Sequence, residues 1–152
     1  MGGSSSTELF YNNNNNNNNK IKNATDLWIQ TVTLKNNPKK VSELFCHDGS
    51  LLGTVSRIKR TGRPAIKEYF EYFARKPGIK VLNAKYNISK VTDRVYINSA
   101  FVTWGWDGLY QPITARMTFV FRKNMSGNFC IFQLHSSALP DENENVRWYF
   151  FY

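Results

Sequence analysis

The chain has 152 residues, a formal net charge of +9, and 41% hydrophobic and 15% aromatic residues. That length suits one domain with a core of its own, and the aromatic content excludes a wholly disordered chain. The first 23 residues hold only Glu8, Lys20 and Lys22 as charged groups, so the positive excess belongs to the part expected to fold.

Residues 1–23 read as a disordered tail, because the eight asparagines from Asn12 to Asn19 offer no apolar face to offset their ordering entropy. Its opening, Met1-Gly2-Gly3-Ser4-Ser5-Ser6, matches the loose pattern for N-myristoylation of Gly2, a pattern that short Gly/Ser stretches also meet by chance. Residues 24–152 read as the folded domain. A first helix is expected from Asn23 or Thr25, with Leu27, Thr31 and Leu34 on one face and Trp28 and Val32 widening it. Asn36-Asn37-Pro38 ends it, and a short helix follows from Pro38 to Phe45. His47-Asp48-Gly49 reads as a turn and Ser50–Val55 as a short strand. Gly62-Arg63-Pro64 opens a third helix, whose stripe is Ile66, Tyr69, Phe70 and Phe73.

Four strands are expected next, near Ile79–Ser89, Arg94–Gly105, Gln111–Lys123 and Asn128–Ser136, joined by hairpin-type connections. Helices first and antiparallel strands later make the class α+β. The last two strands do not alternate cleanly. Ala115, Met117, Phe119 and Phe121 share one face, while Val120 lies with Arg116, Thr118 and Arg122 on the other. Phe129 and Ile131 likewise oppose Cys130, Phe132 and Leu134. A sheet apolar on both faces needs cover on both. The helices supply one cover, and a second copy of the chain or the aromatic tail Trp148–Tyr152 supplies the other.

Three groups of residues, in order and at matching spacing, carry a resemblance. They are Ala115-Arg116-Met117-Thr118-Phe119-Val120, Gly127-Asn128-Phe129-Cys130-Ile131, and His135-Ser136-Ser137-Ala138-Leu139-Pro140. Upstream, Asp48-Gly49-Ser50-Leu51-Leu52-Gly53-Thr54-Val55-Ser56 and Ile66–Phe73 match as well. Over about residues 24–140 the chain resembles the nuclear-transport-factor-2-like superfamily. Within it, the nearest likeness is to the association domain of calcium/calmodulin-dependent protein kinase II and its stand-alone SgcJ/EcaC-type relatives. The resemblance implies a cone, with N-terminal helices packed in a strongly curved antiparallel sheet. It also implies self-association as a homodimer or larger homo-oligomer, and a pocket inside the cone that often contains arginine. No kinase motif is present. Three positions depart from the family pattern. Leu134 replaces the first histidine of a pair, Phe129 replaces a tryptophan, and Ala100-Phe101-Val102-Thr103-Trp104 replaces a Gly-x-Tyr-Thr-Phe strand.

The expected function is therefore a self-assembling module that binds a small anionic ligand in the cone. The alternative is an isomerase, dehydratase or cyclase using the same pocket. The candidate ligand-binding residues are Arg116, Arg60, Tyr69, Trp104 and His135. Arg116 either faces the pocket or forms an ion pair with Asp107 or Glu68. Arg60 belongs to the basic run Arg57, Lys59, Arg60, Arg63 and Lys67, which is either a solvated loop or an anion site at the third helix's N-terminus. For an enzyme, His135 or Asp107 would be the base, and Arg116 or Tyr69 would stabilise an oxyanion. His135 reads equally as a structural histidine.

Two cysteines and two histidines are too scattered for a zinc site, so no metal or cofactor is expected. Cys46 and Cys130 are expected as free thiols in a reducing compartment. With no secretory segment and no membrane span, the sequence reads as cytoplasmic. Nucleic acid is not expected as a partner, because the aromatics fall at core spacing rather than between cations.

Overall fold

The computed structural model describes residues 6–34 and 36–140, with the backbone alone for residues 6–14. Helix α1 spans Ser6–Thr33, α2 Pro38–Glu43 and α3 Arg63–Phe73. The strands are β1 Phe45–Leu52, β2 Arg60–Thr61, β3 Lys80–Thr92, β4 Val95–Gly105, β5 Ile113–Lys123 and β6 Phe129–Ala138. They form one six-stranded sheet in the order β2-β1-β6-β5-β4-β3. The expected α+β class and the three hairpin-linked pairs β3/β4, β4/β5 and β5/β6 are all observed. The sheet is mixed rather than wholly antiparallel, because β1 pairs with β6 in parallel.

Helix α1 begins well before the expected start, and the boundary at residue 23 falls inside it. The reason is tertiary. Ile21 is fully buried, and with Thr25, Trp28 and Val32 it forms a stripe at i, i+4, i+7 and i+11. Asn17 donates to the Tyr96 hydroxyl at 3.1 Å, and Asn98 Nδ2 donates to Thr25 Oγ1 at 2.9 Å. Once this segment is docked, each further asparagine needs only helix propagation, not nucleation. The apolar face is rotated from the expected one. Leu34 is 82% exposed and Leu27 41%, whereas Trp28 and Val32 are buried. Both ends of the chain named above, the Gly2 pattern and the aromatic tail Trp148–Tyr152, lie outside the described residues.

Strand β1 takes in the segment His47-Asp48-Gly49 that reads as a turn. The irregularity is a bulge, since the register with β6 jumps between Phe45↔Ile131 and Ser50↔Gln133. Gly49 sits there because a Cβ would lie 2.9 Å from both the Cys46 and the Ile131 carbonyl oxygens. The same pairing brings Cys46 and Cys130 to a Cα separation of 5.0 Å, and they form a disulfide. The expected pair of free thiols is thus corrected: two cysteines 84 positions apart meet because β1 and β6 are neighbours.

The inner face of the sheet carries Tyr96, Ala100, Val102, Trp104, Ala115, Met117, Phe119, Phe121, Ile131 and Leu134, all buried under the helices. Trp28 is the hub, meeting Phe119, Phe70 and Trp104 edge-on at 5.3, 5.9 and 6.1 Å between ring centres. The outer face is mixed. Phe101, which is 50% exposed, lies opposite Arg116, and Thr118 lies opposite His135. The Arg122 guanidinium sits 4.4 Å from the centre of the Phe132 ring. No helix among the described residues is long and apolar enough to cross a membrane.

Candidate functional site in the cone

Between α1, α3 and the inner sheet face lies a cavity of about 80 Å³. Its floor is made of buried side chains: Trp28, Tyr69, Phe70, Trp104, Met117 and Leu134. Its mouth is marked by the lining residues that reach solvent, namely Thr54, Val55, Lys76, Trp106, Ile113 and Ser136. The Thr54 and Ser136 hydroxyls share a hydrogen bond of 2.6 Å, which joins the end of β1 to β6 across this opening. The wall is overwhelmingly apolar. Besides these hydroxyls and the Tyr69 phenol, two features break that pattern: Lys76 is cationic, and the Trp28 Nε1–H is buried with no acceptor among the described residues.

Tyr69 reaches the cavity from the buried stripe of α3, stacked on Phe73 at 6.0 Å. Its side chain passes so close to Gly53 that a Cβ there would clash with the Tyr69 ring and hydroxyl, so glycine clears the path. Burial pushes the Tyr69 phenol up to about 12, against smaller opposing pulls from the Val55 backbone and the Arg60 guanidinium. The phenol is therefore neutral at physiological pH. A folded-state value above the unfolded one, near 10, means stability is unaffected below pH 10 and is lost as pH rises toward 12. With about 1.4 kcal/mol per unit, the Tyr69 contribution to that loss is of order 2–3 kcal/mol. Denaturant unfolding at pH 9 and pH 11.5 should show Tyr69→Phe losing measurably less stability than wild type. Equal losses would dismiss the burial argument.

The structure brings together only part of the expected site. Tyr69 and Trp104 line the cavity. Arg116 does not: it projects from the opposite face of β5, exposed, with Nη2 3.5 Å from the Ala138 carbonyl oxygen. The period-2 alternation of β5 fixes this, since Ala115 and Met117 are the buried neighbours. Arg116 meets neither Asp107 nor Glu68. Glu68 instead pairs with Arg60, at 3.1 Å. Arg60 lies on β2 outside the cavity lining, with its Nε buried and unpartnered among the described residues. His135 is exposed on the outer face, opposite Thr118, because its neighbour Leu134 takes the inner position. Asp107 is exposed in the β4–β5 turn, its backbone N–H donating to the Pro77 carbonyl at 2.9 Å. Neither His135 nor Asp107 belongs to the cavity wall, and no carboxylate or imidazole does among the described residues.

Among the lining residues that the sequence does not single out are Trp28, Lys76 and Leu134. Trp28 reads as ordinary helix core, and Lys76 as part of the Lys-Pro-Gly stop after α3. Leu134 does leave a signal. It stands where the family pattern has a histidine, and the structure shows that this position faces the cavity. The substitution makes the wall apolar there.

Comparison with known proteins agrees with this architecture. A family model described as a SnoaL-like domain matches residues 21–142. A structure from Xanthomonas campestris, assigned as a calcium/calmodulin-dependent protein kinase II association domain, is 31% identical, with a TM-score of 0.69. That match covers 80% of this chain and 86% of the other. A dehydratase-assigned member of the nuclear-transport-factor-2-like family from Streptomyces avermitilis shares the fold at 12% identity and a TM-score of 0.72, covering 84% and 99% of the two chains. A nuclear-transport-factor-2-like protein of unknown function from Pseudomonas putida does so at 15% identity and 0.70, covering 82% and 88%. A comparison with curated proteins found no match. The family match over most of the chain, together with helices that cradle an apolar cavity against one face of a six-stranded sheet, establishes that the chain belongs to the SnoaL-like domain family within the nuclear-transport-factor-2-like fold.

Proposed function

We propose that the chain is an association-domain-like module that pairs with copies of itself through its outer sheet face and holds a small ligand in the cone. The cavity is the observation that carries this reading, being a concave, largely preformed apolar site with a few polar groups at its edge. Self-pairing is supported by the outer face, where Phe101 and Phe132 are exposed among threonine and arginine side chains. The 31% identity to an association domain supports it as well. An isomerase or dehydratase reading needs a base in the cavity, and the two expected ones, His135 and Asp107, lie outside its wall.

Both halves have a direct test. Sedimentation at micromolar concentration should show a dimer or larger assembly, and a clean monomer would end that half. For the ligand half, Ala115→Leu places three more carbons at the wall of the cavity. It should keep or slightly raise the melting temperature while abolishing the stabilisation that small ring compounds give wild type. A variant that still responds fully would show that the ligands bind elsewhere.

A further inference from the structure

Lys76 sets the chemistry of the mouth. Among the described residues that line the cavity it is the one ionic side chain. No carboxylate lies within ion-pair distance of it among those residues. Its ammonium is held by aromatic rings instead, 5.0 Å from the centre of Trp106 and 5.8 Å from those of Phe73 and Tyr72. Ring faces attract a cation and restrain it, but they leave its charge unneutralised. A second donor lines the same opening. The Thr54 and Ser136 hydroxyls use one proton for their mutual bond, so one O–H remains free to donate outward.

The interior restricts what can accompany an anion. The cavity measures about 80 Å³, roughly half of an engineered cavity of about 150 Å³ that takes benzene. A bound molecule can therefore insert only part of a single ring or a short branched chain, with the rest and its polar end left in the mouth. Long acyl chains and fused ring systems do not fit.

We propose that the site selects small monocarboxylic acids with a compact apolar body, the carboxylate resting on Lys76 and the hydroxyl pair and the body filling the aromatic funnel. This rests on the cavity being a binding site, as above. One ammonium and one hydroxyl match the two oxygens of a carboxylate. A phosphate, with more charge and more acceptor oxygens, would leave several unpaired.

The test titrates benzoate and the neutral isostere benzyl alcohol into the full chain by calorimetry, for wild type, Lys76→Met and Lys76→Arg. Met keeps most of the unbranched stem, and Arg keeps the charge. Wild type should bind benzoate about tenfold more tightly than benzyl alcohol, the worth of one charge-assisted contact. Lys76→Met should erase that preference without changing the affinity for benzyl alcohol, and Lys76→Arg should retain most of it. Equal affinities in wild type, or a preference that survives Lys76→Met, would overturn the role of Lys76 while leaving the cavity as a binding site. If neither compound binds wild type, the cavity reading falls together with it.

Discussion

Reducing the Cys46–Cys130 disulfide should lower the melting temperature by about 10–15 °C. The bond closes a loop across a sequence separation of 84, and chain-entropy arguments assign such a loop about 4.5 kcal/mol. Native strain or residual structure in the unfolded chain brings the expected loss to about 3–5 kcal/mol. The bond joins β1 to β6 next to the bulge at Gly49, where the parallel pairing is already interrupted. Local ladder hydrogen bonds therefore compensate little when it opens. Melts with and without dithiothreitol should differ for wild type and coincide for the Cys46→Ser/Cys130→Ser double variant. If two free thiols titrate in unreduced, denatured protein, the disulfide is absent and the argument fails. The bond also removes Cys46 from any thiol chemistry with the exposed His47 beside it.

The second large effect lies in the core. Phe119→Ala should cost about 3–5 kcal/mol, since it opens a cavity that rigid neighbours cannot close. Phe119 is fully buried, stacked on Phe121 at 5.9 Å and met edge-on by Trp28 at 5.3 Å. Set against a usual total of about 5–15 kcal/mol, that loss removes a large share of the stability. Phe101→Ala is the control from the opposite face of the sheet. Its side chain is half exposed, so it should cost the protomer less than about 1 kcal/mol while weakening self-association. Urea unfolding at low protein concentration measures the first effect, and sedimentation measures the second. A large protomer loss for Phe101→Ala, or a small one for Phe119→Ala, would reverse the assignment of inner and outer faces.

Local sequence determined a good deal about this protein. Period-2 alternation along β5 separates Ala115, Met117, Phe119 and Phe121 from Arg116 and Thr118, and the structure keeps that separation. The 3.6-residue stripe Ile66, Tyr69, Phe70 and Phe73 places α3 and delivers Tyr69 to the cavity. These patterns are legible because they reflect burial of near neighbours, which repeats within one element. Which of two faces becomes the inside is not local. Arg116 and His135 carry chemistry that suits a pocket, yet both stand on the outer face, because α1 and α3 cover the side that holds their neighbours. Asn17, Ile21 and Thr25 are helical and docked because Tyr96 and Asn98 wait across the core. Lys76 becomes the cation of the cavity mouth through Trp106, thirty positions away on the far side of a hairpin. Cys46 and Cys130 bond because the chain returns β6 beside β1. Each of these outcomes depends on contacts between segments far apart in the chain, which composition and periodicity do not encode and which only the packing of the sheet against the helices brings about.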